Sequence, residues 1–107
     1  MQHILPTYKT TNMVDNRFLI DNYGFRRTED GATLRFPVYK YKNKPLIFAE
    51  FIFDQEEKQI HIRAIDNNGN SCSYNKEEYG DSAVIRKTNS EISKQLKFLE
   101  RNGIIKC

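Results

Sequence analysis

Residues 35–53 read RFPVYKYKNKPLIFAEFIF, and the way this stretch is divided decides the fold. Its first half alternates: Phe36 and Val38 are apolar, while Arg35, Pro37, Tyr39 and Tyr41 fall on the opposite side of an extended chain. Asn43-Lys44-Pro45 breaks the pattern as a turn would. The second half then runs Leu46, Ile47, Phe48, Ala49, Glu50, Phe51, Ile52, Phe53, apolar on both sides apart from Glu50. Two strands joined by a tight turn account for this pattern. The doubly apolar second strand belongs at the centre of a sheet, and Pro37, which has no N–H to donate, marks an edge or a bulge in the first.

Working outward, residues 32–41 form the whole first strand, with Ala32, Leu34, Phe36 and Val38 on the inner face. Residues 23–28 precede Glu29-Asp30-Gly31 and can pair with it through an Asp-Gly turn. After residues 46–54 comes the polar turn Gln55-Glu56-Glu57-Lys58. Residues 59–66 then place Ile60, Ile62 and Ala64 on one face and His61, Arg63 and Ile65 on the other. Asn67-Asn68-Gly69-Asn70 is a strong turn signal, because Asn and Gly tolerate positive φ. Residues 71–75 supply a short further strand. The period changes in the last third, where Ile85, Ile92, Leu96 and Leu99 recur at helical spacing. Asp81 or Ser82 can cap the start of this helix, and Asn102-Gly103 ends it. A shorter helical turn fits residues 14–22.

The expected architecture is α+β: an antiparallel β-meander of four to five strands packed against one C-terminal α-helix. A single domain spans residues 1–107, with a flexible arm over 1–12, the sheet over 23–75 and the helix over 82–102. One compact unit is what 107 residues can support, and seven Phe with six Tyr argue for a folded core. No apolar run approaches the roughly 20 residues that cross a bilayer. The first residues lack the basic and apolar regions of a secretory signal, so a cytoplasmic location is expected. Two cysteines, Cys72 and Cys107, are too few for a disulfide scaffold in a chain this short.

Known reaction chemistries find little footing. The glycines at 24, 31, 69, 80 and 103 fit no phosphate-binding loop. His3 and His61 are the available imidazole bases, and His3 falls in the expected flexible arm. His61 in mid-strand reads as a structural residue on a partly exposed sheet face, with an enzyme centred on it as the third and least favoured reading. Cys and His show no paired metal spacing. Asp66, Asn68, Asn70 and Glu77 stand at positions 1, 3, 5 and 12 of a calcium loop, but position 6 is Ser71 where that loop needs glycine. No catalytic residue, metal or cofactor is expected, and the chain is read as a non-enzyme.

Two surfaces remain as binding candidates. The first is the basic-aromatic sheet face, made of Arg35, Tyr39, Tyr41, Lys42, Lys44 and Arg63. It reads first as an ordinary solvated sheet, second as a protein-binding face and third as a platform for nucleic acid. The second is an acidic patch of Asp54, Glu56, Glu57, Glu77 and Glu78. Charge is segregated along the chain: residues 1–45 carry eight Lys/Arg against four Asp/Glu, residues 46–81 three against eight, and residues 82–107 six against two. Such asymmetry can steer a charged partner.

The succession of GFRR, LRFPVYKYKNK, NNGN and EEYGD, followed by an Ile/Leu/Lys helix, resembles small proteins carried by phages and mobile elements of low-GC Gram-positive bacteria. The resemblance covers most of residues 23–107 and brings no active site with it. It implies an inhibitor of host defence, of which anti-CRISPR proteins are one kind, with a bacterial protein or nucleoprotein complex such as a CRISPR nuclease as partner. The alternative is a small nucleic-acid-binding protein using the basic-aromatic face. Neither reading places the chain at a membrane, and neither fixes its oligomeric state.

Overall fold

The computed structural model describes residues 7–72 and 83–106. In chain order these form β1 (Thr7–Lys9), α1 (Asn16–Tyr23), β2 (Arg26–Arg27), β3 (Gly31–Tyr41), β4 (Lys44–Asp54), β5 (Gln59–Asp66), β6 (Ser71–Cys72) and α2 (Ala83–Arg101). The class is α+β, as the periodicities indicate. One antiparallel sheet runs β1-β5-β4-β3-β2, and β6 pairs with the part of β5 that β1 leaves free. β4 lies at the centre.

Pairing in register fixes the two faces. Leu34, Phe51 and Ile62 stand side by side across β3, β4 and β5, as do Ala32, Phe53 and Ile60. This face meets both helices: Leu19 of α1 and Ile92 and Leu99 of α2 share a single buried cluster with Phe51, Phe53, Ile60 and Ile62. Arg35, Glu50 and Arg63 form a row on the opposite face, flanked by Ile52 on one side and Phe48 and Ile65 on the other. None of these six belongs to the buried cluster. The sheet is therefore covered on one face, and its other face carries no helix among the described residues.

Helix ends follow their local chemistry. Asp15 caps α1 by accepting from the Phe18 N–H at 2.8 Å. α2 ends in a Schellman turn: Gly103 takes φ 72°, Ile104 donates to the Leu99 carbonyl at 2.9 Å, and Gly103 donates to Glu100 at 3.0 Å. Ile104 and Leu99 are both buried, which supplies the apolar contact that accompanies this turn. Gly31 is required for a different reason. A Cβ there would lie 1.9 Å from the Phe53 carbonyl oxygen, so β3 can approach β4 at that point only without a side chain.

Two expectations change. Residues 7–12 are not a free arm: β1 pairs with β5, Thr10 bridges to Ile105, and Lys106 donates to the Lys9 carbonyl at 2.9 Å. The backbone polarity of this segment is met by the sheet on one side and by the chain after α2 on the other, which is why it is ordered. The helical turn expected over residues 14–22 is a full helix, α1, and it joins the C-terminal helix in the packing. It is held by its cap and by the Asn16 N–H donating to the Gln55 side chain at 2.9 Å. Asp81, Ser82 and residues 73–75 lie outside the described residues. No helix among the described residues is long and apolar enough to cross a membrane.

Leu99 is fully buried beneath the sheet, whereas Leu96 on the same helix is half-buried. Leu99→Ala should cost about 2–5 kcal/mol and Phe51→Ala about 3–5 kcal/mol, with Leu96→Ala below both. Urea midpoints at constant m-value measure the order. Equal losses at 96 and 99 would contradict the packing described.

Candidate functional site

The sheet face expected from the sequence is assembled only in part. Pairing of β3 with β4 is regular from Gly31 opposite Asp54 to Pro37 opposite Phe48, and then shifts. Val38 is passed over and Tyr39 stands opposite Ile47, a residue packed against the core. Cross-strand partners share a face, so this bulge takes Tyr39 off the Arg35 side. A second shift between Tyr39 and Lys40 passes over Leu46, after which Lys40 opposes Pro45 and Tyr41 opposes Lys44. Tyr41, Lys42 and Lys44 accordingly belong to the hairpin tip, and Arg35 and Arg63 to the open face of the sheet. The alternation in the sequence hid this, because a bulge reverses the parity of every residue beyond it.

On the open face, Glu50 lies between two arginines. It is only 8% exposed and accepts an ion-paired hydrogen bond from Arg63 Nε. Arg35 turns instead to the ring of Phe48, with its guanidinium carbon 4.8 Å from the centroid. The two arginines thus do different work: Arg63 neutralises a shielded carboxylate, and Arg35 stacks on an aromatic. Ile52 and Phe48 are half-buried beside them, and Ile65 is 2% exposed. In the next row His61 Nδ1 and Thr7 Oγ1 lie 3.0 Å apart, so β1 engages the imidazole.

The acidic residues fall at one end of the sheet. Asp54 Oδ1 accepts from the Glu56 and Glu57 amides at 3.0 and 3.2 Å, so its carboxylate closes the β4–β5 turn. Glu56 and Glu57 are exposed. The Gln55 N–H donates to the Asp30 carbonyl at 3.3 Å, which brings Glu29 and Asp30 of the β2–β3 turn alongside. These two are missing from the patch read in the sequence, because a long hairpin separates them from Glu56; the register of β3 on β4 is the signal that would have found them. Glu77 and Glu78 lie outside the described residues, as do His3 and Cys107. The β3–β4 tip, with its lysines, sits at the opposite end of the strands.

Asp66 closes the turn that Asn67-Asn68-Gly69-Asn70 signalled. Its Oδ1 accepts from the Asn68 and Asn70 amides, both at 2.9 Å, in the turn between β5 and β6. No group of three or more His, Cys, Asp or Glu able to hold a metal ion occurs among the described residues. Comparison with protein-family models, with curated proteins and with solved structures finds no match to the chain.

Two predictions follow the geometry of individual side chains. Arg63→Met strips the partner from a shielded carboxylate and should cost about 1–3 kcal/mol. Arg35→Met loses a stacking contact at an exposed position and should cost less than about 1 kcal/mol. Paired denaturation curves read the difference, and a reversed order would assign the two arginines the wrong roles. Asp66 tests the turn. The Asn70 amide first, with help from Asn68, holds its carboxyl below the ordinary aspartate value of 3.8. A depressed folded value means that the turn is fully supported above 3.8 and loosens as pH falls through the lower folded value. The Asn68 and Asn70 amide shifts should titrate together below pH 3.8. Titration at or above the ordinary value would show these hydrogen bonds absent.

Proposed function

We propose that the protein acts by binding and without catalysis, as an inhibitor of the kind that phages and mobile elements carry. Its partner is a bacterial defence protein or nucleoprotein complex such as a CRISPR nuclease. The observation that supports docking is the chemistry of the open sheet face, where Arg35, Phe48, Ile52 and Arg63 surround the shielded Glu50. Centres of protein interfaces are rich in aromatic residues and Arg and poor in Lys. Arg35 is already stacked on Phe48, so a partner that closes over the pair has little side-chain freedom to quench. Glu50 already has its countercharge in Arg63, and covering the face leaves no naked carboxylate.

A nucleic-acid role for this same face has less support. Tyr39 stands on the other side of the sheet, and Arg63 is committed to Glu50. Arg35 stacked on the half-buried ring of Phe48 makes a poor platform for bases, which needs successive exposed aromatics beside a positive groove.

Co-expression with a plasmid-targeting CRISPR nuclease provides the test. Plasmid survival should rise with the wild-type protein and return to baseline with Arg35→Glu/Phe48→Ala. Truncating a central anchor costs about 2 kcal/mol or more, roughly 30-fold in affinity. The variant should still fold, as circular dichroism would show. Wild-type protein that protects against none of the nuclease types tried would remove the inhibitor reading, and a folded variant that protects fully would move the docking surface elsewhere.

A further inference from the structure

The β3–β4 hairpin outruns the sheet. β5 accompanies β4 only as far as Ile47, opposite Asp66, and β2 accompanies β3 only at residues 32–33. The two last rungs, Lys40 with Pro45 and Tyr41 with Lys44, have no third strand beside them among the described residues. Lys42 and Asn43 close the tip with φ of 50° and 66°, the two successive positive values of a tight hairpin turn. Across residues 40–46 every residue but Pro45 is exposed. Among the described residues the result is a two-stranded ribbon that runs past the rest of the sheet.

Its charge is of one sign. Lys40, Lys42 and Lys44 stand within five residues without an acid among them. None of the three takes part in an ion pair among the described residues, where Lys87 and Lys94 share Glu91, Arg63 holds Glu50 and Arg17 meets Asp21. Lys42 reaches only the ring of Tyr41, 5.5 Å from its centroid. Concentrating unpaired cations on an exposed tip costs self-repulsion that the fold does not require.

We infer that this arm seats in a groove of double-stranded nucleic acid, with its lysines on the phosphates. A two-stranded ribbon fits a major groove about 12 Å wide. Adjacent rungs point to opposite sides of the ribbon, so Lys40 and Lys44 project in opposite directions. Cations on both sides match the two phosphate walls of a groove; a single strand offers one line of phosphates. Tyr41 is the one ring of the arm and is 56% exposed, whereas Tyr39 stands opposite core-packed Ile47, so successive bases would find no stack of rings to lie on. Glu29, Asp30, Asp54, Glu56 and Glu57 lie at the far end of the strands, where they outnumber Arg26, Arg27 and Lys58, and this imbalance favours an arm-first approach to a polyanion. This inference rests on the arm alone and stands or falls apart from the docking of the open sheet face.

The experiment is a fluorescence-anisotropy titration of a labelled, mixed-sequence DNA duplex and of its single strand. Three phosphate contacts give a log–log salt slope of about −2.7, so affinity should fall roughly 40-fold between about 50 and about 200 mM salt. Lys40→Gln/Lys42→Gln/Lys44→Gln should lose most of the affinity and nearly all of the slope, with an unchanged melting temperature. Lys97→Gln/Arg101→Gln/Lys106→Gln removes the same formal charge elsewhere and should retain both. The proposal is overturned by absence of binding at low salt, by equal loss in the two triple variants, or by tighter binding of the single strand than of the duplex. If the arm variant instead abolishes protection from a nuclease while wild-type protein ignores the duplex, the arm is a protein contact, which equally overturns it.

Discussion

β4 is hydrogen-bonded along most of its length to β3 on one side and β5 on the other, and its pleat sets the position of every other element. Ala49, Phe51 and Phe53 point to the helices, so α1 and α2 must lie on that side to bury them. Phe48, Glu50 and Ile52 then point away, whatever their polarity. A one-residue slip would put Glu50 into the core and Phe51 into solvent, an exchange that costs far more than the sheet gains by slipping. Gly31 reinforces the register from one end, since only a residue without Cβ can stand against the Phe53 carbonyl.

The same constraint explains why the hairpin tip departs from the sheet. Pleat parity is kept as far as Pro37 and Phe48, where three strands lie side by side, and it is broken only where β5 ends. Bulges are tolerated at the margin of a sheet because fewer ladder bonds are lost there. Pro37 sits on the outer side of the sheet beyond the two residues that β2 covers, so its missing N–H leaves no described strand unsatisfied. Proline, bulges and lysines together also discourage a foreign strand from pairing along that margin.

How much was legible in the sequence depended on whether a local rule or a distant contact decided each residue. Residues 32–38, 46–54 and 59–66 follow period 2 without interruption, and their inward faces were readable from alternation alone. The end of α2 was readable from Asn102-Gly103, because a positive-φ glycine and its apolar successor are a local signal. β1 was not readable: Thr7–Lys9 is too short for a pattern and is a strand only because β5 lies beside it. Tyr39 was misplaced because the bulge at Val38 has no signature beyond Pro37. The pairing of Arg35 with Phe48 and of Arg63 with Glu50 lay in cross-strand register, which one strand's pattern does not contain. Glu29 and Asp30 joined Glu56 and Glu57 through the same register.

The register thus separates charge along the strands as well as polarity across them. An antiparallel meander places alternate turns at opposite ends. The β2–β3 and β4–β5 turns share one end and the β3–β4 turn takes the other. Glu29, Asp30, Asp54, Glu56 and Glu57 outnumber Arg26, Arg27 and Lys58 at the first end, and Lys40, Lys42 and Lys44 outnumber Asp66 at the second, so charge is unevenly divided along the strands. Stability does not ask for this, since interspersed charges would repel less. The acids at least serve locally, Asp54 by closing its turn. The ammonium groups of the arm lysines take part in no ion pair among the described residues. The departures from sheet parity therefore gather at the margin where β5 ends, and the three lysines stand beyond it on a tip that the sheet does not brace among the described residues.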